Sequence, residues 1–239
     1  MQIEVWSDFV CPFCYIGKRR LEKALEAFPH KENINVIYKS FELDPNAEIN
    51  PEKSIHELLA GKYNMTVERA MRMHEDMGKQ AKQVGLTYNF DEMKHTNSFD
   101  AHRVAKYATE KGKGKEMTER LLYAYFTESK LISDHATLIE LASEMGLDED
   151  EVTALLKVDD YALHVRADEE RARQIGVEGV PFFVFNEKYA VTGAQPVEAF
   201  TEVLETVWKE EQEKPALKTL NPKQSKTTYC TDEGCVTEE

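Results

Sequence analysis

The chain has no run approaching the roughly 18 consecutive apolar residues that span a bilayer. Its opening, MQIEVWSD, has neither the basic start nor the apolar stretch of a secretory leader. A cytoplasmic protein without a membrane partner is therefore expected. Basic residues are in deficit: 30 Lys and Arg face 44 Asp and Glu, a formal net charge of −14. Phosphate backbones are bound by Lys and Arg that acids do not offset, so no nucleic-acid partner is expected. The best basic cluster, Lys18-Arg19-Arg20, reads as a solvated helix face, with an electropositive rim beside the neighbouring cysteines as the alternative. Cysteine is also sparse. Four in 239 residues do not make a disulfide framework for so long a chain in a reducing compartment, so reactive or metal-binding thiols gain weight. No HExxH or EF-hand pattern occurs, and the seven histidines are scattered, most of them reading as surface or capping residues.

What is present is an ordinary globular composition, 41% hydrophobic and 31% charged, with chain enough for one large domain or two small ones. IEVW (3–6) and INVIYKSFEL (34–43) are rich in β-branched and aromatic residues and flank a helical stretch from about Pro12 to Ala27, which makes a βαβ unit. From Asn50 to about Ala162 the pattern is almost wholly helical. Asn50-Pro51, Thr66, Asn97 with Asp100, Asp134 and Asp148 predict helix starts, and Gly85, Gly112 and Gly146 predict ends. Met65, Met71, Met73 and Met77 read as core packing rather than as an adaptable groove. After a helix ending near Gln174, PFFVF (181–185) and YAVTG (189–193) read as strands joined by the turn Asn186-Glu187-Lys188. A last amphipathic helix runs to about Glu213, and the polar, aperiodic remainder reads as a flexible tail.

Three stretches, SDFVCPFCYIGKRR (7–20), NSFDAHR (97–103) and GVEGVPFFVFNEKYAVTGAQP (176–196), give the chain a resemblance to the DsbA family of thioredoxin-fold proteins, and within it to the FrnE-like branch, over roughly residues 1–213. The resemblance implies an α/β thioredoxin fold: a mixed four-stranded sheet with an all-helical domain inserted between the second strand and the following core helix. Residues 1–48 and 162–213 would form the split thioredoxin-like domain, 49–161 the insertion, and 214–239 the tail with its CxxxxC pair. It further implies a thiol–disulfide oxidoreductase, in which Cys11 forms a mixed disulfide with a protein or small-molecule substrate and Cys14 resolves it. No cofactor or metal is implied, glutathione is left open as a co-substrate, and so is a homodimer.

The chemistry of the motif agrees with that role, because a helix amino terminus favours a thiolate at Cys11 while Cys14, one turn on, is more buried. A cis Val180–Pro181 bond beside the motif would turn backbone groups of Val180 toward the substrate, with Phe13 also on the binding surface. Family members of the periplasm often carry histidine where this chain has Phe13, so a less oxidising couple is expected. Asp8 is read as a helix cap, or as a proton relay to Cys14. Asn97 is read as half of a capping box with Asp100 or as a residue facing the site, and His102 and Arg103 follow it on the same helix. In the tail, Cys230 and Cys235 bracket Asp232 and Glu233 and read as an auxiliary redox pair on a tether spanning roughly 20 to 25 Å, or as two incidental thiols. Three other readings compete. Zinc could take both cysteine pairs, although this CxxC opens a helix and the second pair lies over 200 residues away. Kappa-class glutathione transferases and 2-hydroxychromene-2-carboxylate isomerases share the insertion but carry serine where this chain has Cys11. A chaperone-like binding module would use the helical domain as an apolar cup.

Overall fold

The computed structural model describes residues 1–49 and 52–212, and the backbone of 227–231 and 234–238. The helix start expected at Asn50-Pro51 falls outside the described residues. Strand β1 (Gln2–Ser7) lies at the centre of a four-stranded sheet, parallel to β2 (Asn35–Ser40) and antiparallel to β3 (Phe182–Phe185), which pairs in turn with β4 (Tyr189–Thr192). In this register Ile3 stands opposite both Val36 and Phe185. The period of two then sorts the side chains. Ile3, Val5, Phe183 and Phe185 point to one face, against α1 (Pro12–Ala27) and α9 (Val197–Gln212), where Leu21, Ala24, Phe200 and Leu204 close the core. Trp6, Phe182 and Val184 point to the other, under Ala172 of α8 (Ala162–Gln174), and the Trp6 indole donates to the Asp168 carbonyl at 2.9 Å. Each fully buried side chain of this kind contributes about 1.5 to 3 kcal/mol.

Between β2 and α8 lie α2 (Ile55–Lys62), α3 (Val67–Gln83), α4 (Phe99–Glu110), α5 (Gly114–Phe126), α6 (His135–Glu144) and α7 (Glu149–Lys157). Thr66, Asp134 and Asp148 cap α3, α6 and α7 by accepting from the amide three residues on. Helix α2 opens on a capping box between Ser54 and Glu57. The core of this helical block, which includes Val104, Leu121, Phe126 and Leu141, continues into Phe9, Val10, Tyr15 and Ile16. Helix α1 is thus held by two cores, one on the sheet and one in the insertion.

Several expectations are corrected. Lys18 is buried and ion-paired with Glu22 and Glu119, Arg19 joins the same two carboxylates, and Arg20 donates to the Ala194 carbonyl. The basic cluster is therefore a clasp from α1 to α5 and to the β4–α9 loop, because Glu119 folds over it. Met71 and Met73 are exposed, since the inward stripe of α3 runs through Ala70, His74 and Ala81, and Met65, ahead of that helix, is half-buried; Met77 alone of the four packs against the helical core as expected. Of the seven histidines four lie at or near the surface, as expected of most, and His56, His74 and His102 are buried. Part of the segment read as an aperiodic tail forms a hairpin, in which β5 (Thr227–Thr231) pairs antiparallel with β6 (Gly234–Glu238) and Cys230 stands opposite Cys235. The flexibility expected of 214–226 lies outside the described residues.

Candidate active site

β1 delivers the chain to a short loop, and Cys11 becomes the N-cap of α1 with Pro12 in the first turn, where its missing N–H leaves no orphan donor. The loop is closed by backbone bonds, Cys11 N to the Asp8 carbonyl at 3.2 Å and Cys14 N to the Cys11 carbonyl at 3.0 Å. Both cysteines are free thiols and buried, 4% and 2% exposed. The Cys11 thiol lies 3.6 Å from the Val180 carbonyl, and the Val180–Pro181 bond is cis. Cys14 takes the Asp8 amide at 3.4 Å. Burial, and then the adjacent Cys11, push the Cys14 thiol well above its ordinary value, and the Asp8 amide and Ser7 offset this only in part.

Asp8 does not cap the helix. Its fully buried carboxylate accepts from the Leu43 amide at 2.8 Å and the Val10 amide at 3.4 Å, and meets Nε2 of His102 at 3.4 Å. Burial alone would raise its pKa, but His102, the Leu43 amide and Ser98 outweigh it and hold the carboxyl below the usual range. His102, buried on α4 with its ring 4.6 Å from that of Phe9, therefore reaches the motif through Asp8. Asn97 and Asp100 form no capping box. Asn97 accepts from the Phe99 amide and donates to the Pro45 carbonyl, while Asp100 binds Arg103 and His135. Arg103 is turned away from the cysteines: it donates to the carbonyls of Leu155, Val158 and Asp160, closing the end of α7. Phe13 is 38% exposed between the two cysteines. Cys230 and Cys235 face each other across the hairpin backbone, and their side chains lie outside the described residues.

Two residues of the site were not anticipated. Gly17 lets α1 approach Pro181, since a Cβ there would stand 3.0 Å from the Pro181 ring and 3.2 Å from Phe183. A glycine in the middle of an amphipathic helix was the available signal. Tyr88 donates to the Pro12 carbonyl at 2.7 Å, a contact with no local signature. Among the described residues, no group of three or more His, Cys, Asp or Glu could hold a metal ion, and no helix is long and apolar enough to cross a membrane.

A mixed sheet of order β2-β1-β3-β4, a CxxC opening α1 and a cis-proline beside it define a thioredoxin-fold protein of the thiol type. Residues 2–205 match the model of the DSBA-like thioredoxin domain, and the chain belongs to that family. It is similar to the crystal structure of a probable DsbA oxidoreductase from Streptomyces coelicolor, at 38% identity over 100% of both chains and a TM-score of 0.86. Two more distant structures share the fold alone. One is 2-hydroxychromene-2-carboxylate isomerase, with 13% identity, 89% of this chain and 98% of that one covered, and a TM-score of 0.67. The other is the cytosolic disulfide reductase DsbM from Pseudomonas aeruginosa with GSH, with 17% identity, 87% and 100% covered, and a TM-score of 0.58.

Proposed function

We propose that the protein is a cytoplasmic thiol–disulfide oxidoreductase of the FrnE-like branch, acting on protein or small-molecule disulfides. The observation that carries the reading is the Cys11 sulfur 3.6 Å from the Val180 carbonyl at a cis-proline, with Cys14 buried behind it. The Cys11 thiolate attacks R–S–S–R′, forming Cys11–S–S–R and releasing R′S⁻. Cys14 then gives up its proton and attacks the Cys11 sulfur. The Cys11–Cys14 disulfide forms, RS⁻ leaves, and two electrons have passed from the protein dithiol to the substrate. Run in reverse, the same steps oxidise a dithiol. The raised pKa of Cys14 suits this order, because it keeps its proton until the mixed disulfide exists.

Val180 would hold an extended substrate segment through its backbone, and Phe13 would add apolar contact. Asp8 and His102 would act by positioning the loop. Glutathione as one thiol partner is supported by the DsbM structure with GSH on the same fold. Cys230 and Cys235 would form an auxiliary pair, since directly opposed residues on antiparallel strands have Cα atoms roughly 4.5 to 5.5 Å apart, within disulfide reach. The test is a redox titration with disulfides mapped by mass spectrometry. A two-electron Cys11–Cys14 couple is expected, shifted in a Cys230→Ser/Cys235→Ser variant. A Cys11–Cys14 pair that never forms a disulfide would contradict the oxidoreductase, and an identical titration would remove the auxiliary pair alone.

A further inference from the structure

Tyr88 belongs to the connection between α3 and α4, yet its hydroxyl ends in the first turn of α1, donating to the Pro12 carbonyl at 2.7 Å. The connection is pinned to the end of α5: the Asn89 amide donates to the Phe126 carbonyl and the Thr127 hydroxyl to the Thr87 carbonyl, both at 2.8 Å. The Tyr88 ring lies 4.5 Å from that of Phe126 and 5.5 Å from that of Phe90, centroid to centroid. Burial, then Cys11, Tyr15 and Cys14, hold the phenol above its ordinary value against the pull of Arg19, so the hydroxyl keeps its proton and stays a donor. The peptide group that it touches has a second end. The Pro12 carbonyl and the Phe13 amide belong to one planar unit, and a donor on the oxygen polarises the N–H. Phe13 holds the second helical position, where the amide has no intrahelical acceptor. Among the described residues it meets none elsewhere, whereas the Cys14 amide is taken by the Cys11 carbonyl at 3.0 Å.

We propose that Tyr88 is a positioning residue for the thiol chemistry, acting through the Pro12–Phe13 peptide to strengthen the Phe13 amide as the donor to the Cys11 thiolate. The proposal rests on the oxidoreductase reading and adds a residue of the helical block to it. Cys11 is the N-cap, with extended backbone, and a side chain at that position is placed to accept from the second or third amide of the helix. As a thiol it accepts from neither and faces the Val180 carbonyl. Once the proton leaves, the sulfur can only accept, and Phe13 offers the unpaired N–H. In the reduction of a substrate disulfide this bond steadies the attacking sulfur. In the reverse direction it steadies Cys11 as the sulfur that leaves the mixed disulfide.

The experiment uses the full chain and its Tyr88→Phe variant, which removes the hydroxyl and keeps the ring. Tyr15→Phe is the control, because that hydroxyl binds Glu119 instead. Alkylation of Cys11 by iodoacetamide is followed against pH with the adduct mapped by mass spectrometry, and the Cys11–Cys14 couple is equilibrated with glutathione above the alkylation midpoint. Tyr88→Phe is expected to lower the thiolate present on the rising limb about 2- to 4-fold, the upper end of cooperative strengthening of a bond to a charged group. The glutathione equilibrium should move toward the oxidised protein by the same factor, since only the reduced form carries the thiolate. A mere loosening of the helix start would not make the two factors equal. In the wild type, amide NMR should show the Phe13 proton moving further downfield than any other of the first turn as Cys11 ionises, which decides the point if Tyr88→Phe fails to fold. Coincident alkylation profiles for wild type and Tyr88→Phe, an equal shift in Tyr15→Phe, or a Phe13 amide that ignores the titration overturns the assignment. A Cys11–Cys14 pair that glutathione never oxidises overturns the oxidoreductase reading instead, and the alkylation and amide measurements still judge Tyr88.

Discussion

Both motif cysteines are bonded to the backbone of one residue, Asp8, whose side chain is anchored to Leu43, Val10 and His102. Asp8→Asn keeps the shape and removes the charge, and is expected to cost about 1.5 to 3 kcal/mol near neutral pH, the scale of hydrogen bonds to charged groups. The sign with pH follows from the depressed pKa. The carboxylate stabilises the fold above the unfolded value of ~3.9, and this contribution fades as pH falls through the folded value. The gap between wild type and variant in urea midpoints should therefore be full at pH 6 and narrow below pH 4. A gap independent of pH would contradict the role given to the charge. Cys14 has the opposite dependence. Its folded pKa is raised, so above the unfolded value of ~8.5 the unfolded chain ionises while the native thiol does not. The reduced protein should lose stability from pH 8.5 upward, and Cys14→Ser should lose less over the same range.

At the scale of elements, α1 owes its approach to the cis-proline strand to Gly17. In an ordinary helix interior Gly→Ala gains about 0.5 to 1 kcal/mol. Here the added methyl would press on Pro181 and Phe183, so Gly17→Ala is expected to destabilise by about 1 to 3 kcal/mol and to slow disulfide exchange by displacing Val180. A more stable and fully active variant would refute the packing argument. Helices α2 and α3 are joined by a buried contact between Nδ1 of His56 and Nδ1 of His74 at 2.8 Å, with Asp91 on the far side of His56. Facing nitrogens at that distance share one proton. Burial, and then His56, lower the pKa of His74 to about 4, so below the unfolded value of ~6.5 the unfolded chain binds the extra proton and stability falls, at most by about 1.4 kcal/mol per pH unit. Amide exchange, corrected for its intrinsic pH dependence, should be faster in α2 and α3 at pH 5 than at pH 7, and His74→Phe should reduce the difference.

Across the whole molecule, what could be read in the sequence was what local chemistry dictates. The sheet strands, the caps at Thr66, Asp134 and Asp148, and the placement of CxxC at a helix start each follow from a few adjacent residues. What escaped depends on partners far along the chain. Glu119 lies about 100 residues from the basic cluster it neutralises, Arg103 closes a helix about 50 residues away, and Tyr88 meets Pro12 across 76. The hairpin at the C-terminal end was hidden by a polar surrounding, although TTYCT and GCVTE are rich in β-branched residues. The two cores gripping α1 give these separate signals a common consequence, a CxxC held between the sheet and the helical insertion. The proposed order, in which Cys11 attacks and Cys14 resolves, can be read by trapping. Cys14→Ser and Cys11→Ser variants are mixed with a peptide disulfide, quenched with acid and analysed by mass spectrometry. A mixed disulfide on Cys11 is expected to accumulate in Cys14→Ser, with no adduct at Cys14 in Cys11→Ser. Equal trapping by the two variants, or none by either, would contradict it.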